Sequence, residues 1–60
     1  MELLYEIDRF LRTTRMPETK FGRLAARDPR LVHDLRNGRQ PGARMATRVR
    51  GFIQHELKRP

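Results

Sequence analysis

The chain has no cysteine and no tryptophan, only one tyrosine and three phenylalanines. Without cysteine there is no disulfide and no thiolate metal ligand, which excludes a covalently stapled scaffold and a cysteine-based zinc site. Long apolar runs are missing too. None exceeds three residues, against the ~18 that a membrane span needs, and no secretory apolar region is present. A membrane partner is therefore not expected, and a reducing, cytoplasmic setting is. Acids are scarce as well, and neither His33-Asp34 nor His55-Glu56 offers catalytic geometry, because adjacent side chains diverge on a helix. No nucleophile, metal set, cofactor motif or small-molecule pocket is legible, so the chain is not expected to be an enzyme.

What is present is positive charge. Fourteen Lys+Arg face seven Asp+Glu, a formal net charge of +7 on 60 residues, which favours an anionic partner. All these cations except Lys20 and Lys58 are arginine, whose planar fork suits phosphate and guanine better than lysine's point charge. Glu2, Glu6 and Asp8 concentrate acid at the start, whereas Arg30, Arg36, Arg39, Arg44, Arg48, Arg50, Lys58 and Arg59 dominate from Asp28 onward. The plain alternative is a basic surface that merely solvates the chain.

Sixty residues hold one domain with a small core, since a chain of this size buries only about 60% of the surface exposed when unfolded. There is no internal repeat, low-complexity tract or linker. Four helices are predicted. Over 3–15, Leu4, Ile7 and Leu11 recur at helical spacing with Leu3 and Phe10 flanking, and Tyr5 points away. Over 17–26, Pro17 suits the first helical turn, Glu18 complements the dipole, and Phe21, Leu24 and Ala25 supply the apolar face. Asp28-Pro29 reads as an N-cap followed by a first helical residue, so a third helix over 29–36 follows a very tight turn and stops at Asn37-Gly38. After Pro41-Gly42, Met45, Val49, Phe52, Ile53 and Leu57 repeat at intervals of three and four over 43–58. No period-two segment predicts a strand. The fold class is all-α, a compact bundle of four short helices.

Short helix, tight turn, short helix and glycine stop is a helix-turn-helix arrangement if the second helix has a polar outward face. At about 100° per residue, Val32 and Leu35 define the inward direction of the third helix, and Arg30, His33 and Asp34 lie opposite, with Leu31 and Arg36 at the flanks. Arg30 can pair with guanine O6 and N7, Asp34 can accept from a cytosine amino group, and His33 can reach a base or a phosphate. Asp34 has a second reading, an ion pair with Arg30 one turn earlier. Thr19, Lys20, Arg23, Asn37, Arg39 and Arg44 are candidate contacts to the DNA backbone, because affinity comes largely from neutralising phosphates.

These residues carry a resemblance. Phe21-Gly22 through Ala25-Ala26, Asp28-Pro29-Arg30-Leu31-Val32 and Leu35-Arg36-Asn37-Gly38-Arg39-Gln40-Pro41 look like the lambda-repressor-like (XRE-type) domain of phage repressors, Cro proteins and related bacterial regulators. Phe21 and Gly22 match the apolar and small residues early in that family's second helix, Ala26 the small residue at the turn, and Val32 and Leu35 the buried positions of the recognition helix. The Asn37-Gly38-Arg39 run resembles the loop where the family sets an asparagine and a basic residue against the phosphates. Pro29 departs from the pattern, standing where many members place a base-reading glutamine. The resemblance implies a transcription regulator that places residues 29–36 in the major groove of double-stranded DNA, nucleoid-associated in a bacterial or phage setting. A domain reading only ~4–6 base pairs also implies a homodimer or larger regulatory assembly.

Two rivals stand beside this reading. A small basic RNA-binding protein would display aromatics for base stacking, and only Tyr5 points clearly outward. An adaptor for an acidic protein would need an exposed apolar face, and the stripes are expected to bury one another with little left over.

Overall fold

The computed structural model describes residues 2–59. They form α1 (Leu3–Thr14), α2 (Glu18–Ala26), α3 (Leu31–Arg36) and α4 (Ala43–Leu57), with no strand among the described residues. The all-α, four-helix expectation is met. Helix α2 packs on both α3 and α4, and α1 closes over the same two. The radius of gyration, 10.5 Å, equals the roughly 10.4 Å expected for a single folded unit of this length. Among the described residues, no helix is long and apolar enough to cross a membrane.

The core is built on aromatic contacts between three helices. Phe10 of α1, Phe21 of α2 and Phe52 of α4 meet with ring centroids 5.5, 6.0 and 5.6 Å apart, tilted or edge-on, as the ring quadrupole prefers. Around them Leu3, Ile7, Ala25, Val49 and Ile53 are buried. This shifts the α1 stripe from the expected one. Its centre is Leu3, Ile7 and Phe10, whereas Leu4 and Leu11 are partly buried at its edge, because Phe10 must face the other two rings.

Helix α2 needs a second correction. Phe21, Gly22 and Ala25 are buried, and Leu24, expected on the apolar face, is 50% exposed. Gly22 lies about 100° from Phe21 and so pulls the inward direction away from Leu24. The cause is a close approach at Gly22. A Cβ there would collide with the Asp28 carbonyl oxygen and come within 3.3 Å of the Leu31 Cβ, while the Asp28 N–H donates to the Gly22 carbonyl at 3.0 Å. The chain turns back on α2 because nothing projects from residue 22. Pro17 stands just before α2, in extended backbone (ψ 145°), and not within its first turn.

Helix α3 also starts later than expected. The Asp28 carboxylate accepts the Arg30 N–H at 3.1 Å and its carbonyl accepts the Leu31 N–H at 3.0 Å, so Asp28 organises a turn through Pro29 and Arg30. Arg30 (φ −96°, ψ 4°) lies outside the helix, which runs from Leu31. Leu31, expected on a flank, is fully inside with Val32 and Leu35, covered by α2 at the Gly22 approach. The stop is as expected, with Asn37 ending the helix and Gly38 at φ +97°.

The stripes do leave apolar surface over, contrary to expectation. Leu57 of α4 is 55% and Tyr5 of α1 49% exposed, and both border an open groove of about 430 Å³ floored by Phe10 and Ile53.

Candidate nucleic-acid interface

The turn and α3 present Arg30 and His33 as exposed side chains and Asp34 as a half-buried one. Arg30 has no ion-pair partner among the described residues. It projects from the turn before α3, which is where the Asp28 contact to its N–H places it. His33 faces Asn37, with its Nε2 3.4 Å from the Asn37 amide nitrogen. That same amide donates to the His33 carbonyl at 2.7 Å, satisfying one of the carbonyls that a helix end leaves open. Asn37, read from sequence as a backbone contact, thus already has one donor engaged.

Asp34 does not pair with Arg30. Its Oδ2 lies 3.3 Å from Arg39 Nη1, and the same nitrogen donates to Asp28 Oδ2 at 2.7 Å. The Arg39 N–H also donates to the Asp34 carbonyl at 2.9 Å. The left-handed turn at Gly38 reverses the chain and brings these groups together. The Arg39 hydrogen bond, helped by the Arg30 N–H, holds the Asp28 carboxyl below the usual carboxylate range. The same bond raises the Arg39 guanidinium above its ordinary value. Hydrogen bonding to the charged form favours that form in both partners.

A second arginine gathers acids on the opposite side of α3. Arg36 Nη2 lies 2.6 Å from Asp8 Oδ1 of α1 and 2.8 Å from Glu18 Oε2 of α2, and the Asp8 bond, then the Glu18 bond, raises its pKa. Arg50 pairs with Glu6 at 2.9 Å and Arg59 with Glu56 at 3.3 Å. Among the described residues, every acid but Glu2 is therefore in an ion pair.

The surplus charge is left on the surface. On α2, Thr19, Lys20 and Arg23 are exposed, and Lys20, Arg23 and Arg27 follow one another at intervals of three and four, which sets them on one side of the helix. Arg27 was missed from sequence. It closes α2 in the left-handed conformation (φ 55°), and the 20-23-27 spacing was the signal that could have found it. Arg44 is exposed in the first turn of α4. Among the described residues, Lys20, Arg23, Arg27, Arg30 and Arg44 have no carboxylate partner. The predicted cations thus divide: Lys20, Arg23, Arg30 and Arg44 are free to meet an external anion, whereas Arg39 is engaged.

No cluster of three or more His, Asp or Glu side chains able to hold a metal occurs among the described residues. Set against known proteins, the chain matches no family model, no curated protein and no solved structure.

Proposed function

We propose that this chain is a sequence-specific double-stranded DNA-binding protein, a transcription regulator that enters the major groove with α3 and the turn before it. The observation that carries the reading is the run of exposed cations Lys20, Arg23, Arg27 and Arg30, none of which has a carboxylate partner among the described residues, leading from α2 through the turn to α3. Four unpaired cations in sequence suit a rail of phosphates, and α3 beside them is narrow enough to follow the groove between two rails. The close packing of Gly22 against the turn is what a helix-turn-helix requires, and it gives a physical reason for the small residue in the lambda-repressor-like resemblance. Thr19 and Lys20 near the start of α2, Arg23 behind them and Arg44 at the start of α4 are the phosphate contacts in this reading. Arg30 and His33 reach for base edges. A homodimer or larger regulatory assembly supplies the remaining specificity, in the cytoplasm or on the nucleoid.

The test is fluorescence anisotropy on a mixed-sequence DNA duplex, an RNA duplex and single strands across a salt series. Duplex DNA is expected to bind best, with log affinity falling against log salt by about 0.9 for each phosphate neutralised. Preference for either RNA or single strands, or a flat salt response, overturns the reading. A second reading, an adaptor for an acidic protein, draws on the groove beside Tyr5 and Leu57, and the flat response is what it expects.

A further inference from the structure

We propose that Arg39 is a positioning residue for base reading and not a phosphate contact: it holds Asp34 so that the remaining carboxylate oxygen accepts a hydrogen bond from a cytosine amino group. This rests on the DNA-binding role proposed above.

The atoms decide between the two roles for Arg39. Its Nη1 is shared by Asp28 Oδ2 and Asp34 Oδ2, and its backbone N–H by the Asp34 carbonyl. Asp28 is then complete, since its Oδ1 already takes the Arg30 N–H. Asp34 is not. Among the described residues no donor reaches its Oδ1. One guanidinium between two carboxylates leaves a net negative charge beside Lys20, Arg23, Arg27 and Arg30, which have no carboxylate partner among the described residues. That local charge repels phosphate. It complements only a donor, and the major groove offers donors at the exocyclic amines of cytosine and adenine, of which a carboxylate suits cytosine. Arg39 fixes the side chain that would otherwise swing toward Arg30, leaving Arg30 free for a guanine.

These ion pairs are solvent-exposed, with side chains 29–37% accessible, so they add little to stability. Removing them tests geometry more than folding. The experiment selects bound sites from a randomised duplex pool with the full chain, Arg39→Ala, Arg39→Lys and Asp34→Asn, and measures each salt slope. The wild-type chain is expected to select cytosine at one position. Arg39→Ala is expected to reduce that preference about tenfold with the salt slope unchanged. Arg39→Lys restores the preference, because both contacts come from one nitrogen that an ammonium can imitate. Asp34→Asn moves it toward adenine, which an amide reads. A salt slope lowered by about one unit in Arg39→Ala, with the cytosine preference intact, returns Arg39 to the phosphate rail and overturns the proposal. So does an Asp34→Asn chain that selects as the wild type does. Failure of the wild-type chain to bind any duplex overturns the DNA reading itself, and this role with it.

Discussion

Arg36 and Arg39 stand three residues apart, and each sits between two carboxylates, yet they do different things. Arg36 reaches partners 28 and 18 residues away, on α1 and α2. Arg39 reaches partners 11 and 5 residues away, in the turn before α3 and on α3 itself. The first cluster exists only once three helices have assembled. The second closes within one short segment and shapes its edge. Identical chemistry thus serves assembly in one place and local geometry in the other, and sequence distance to the partner is what separates them.

That contrast holds only if neither arginine is what keeps α3 in place. The largest expected effect is accordingly in the core. Leu35→Ala should cost about 2–5 kcal/mol, close to the whole stability of a domain this small, measured by thermal melts followed by circular dichroism. A loss smaller than that of an Arg36 variant would mean that the ion pairs, not the apolar face, hold the helix. Next comes Gly22→Ala, at about 1–3 kcal/mol from overpacking, because the obstacle is the Asp28 backbone and cannot rotate aside. An unchanged midpoint would show that α2 and the turn are not in contact. Arg36→Met should cost no more than about 1 kcal/mol, since its partners are exposed and screened. The loss should shrink in high salt; a salt-independent loss would make the contact one of packing.

The smallest effect tests the Arg39–Asp28 contact by pH. The Asp28 carboxyl is depressed below its ordinary 3.8 by Arg39, so the stability this contact adds is complete above that value and is lost as pH falls through the lower folded value. The raised Arg39 pKa works the other way: its contribution is complete below the ordinary guanidinium value and is lost only as pH rises through the higher folded value. Melting midpoints of the wild type and Arg39→Ala should therefore differ slightly at neutral pH and converge well below pH 3.8. Midpoints that stay apart in acid would show that Arg39 acts through something other than Asp28.

The sequence carried the architecture further than the contacts. Helical spacing located all four helices, and Val32 and Leu35 lie inside as their period demands. Leu31 was set on a flank by the direction that Val32 and Leu35 define; it is buried because the first turn of α3 comes up against α2 at Gly22, an approach that the period of α3 alone does not encode. Leu24 was misplaced because a glycine adds nothing to an apolar count, although Gly22 is where the turn packs directly on α2. Within the candidate site, Arg30 and His33 were legible as exposed from the angle they make with Val32. The Arg39 contacts were not. Asp28, Asp34 and Arg39 meet only because Gly38 reverses the chain, and no periodicity encodes that encounter.

The three phenylalanine rings have a spectroscopic consequence. With no tryptophan, near-ultraviolet circular dichroism of the folded chain will carry the fine structure of Phe10, Phe21 and Phe52 in their tilted and edge-on contacts, and that signal vanishes when α1, α2 and α4 separate. Fluorescence comes from Tyr5, half exposed at the rim of the α1–α4 groove. Phenylalanine fine structure therefore follows the interior and tyrosine emission the groove rim of the same molecule, with no label attached.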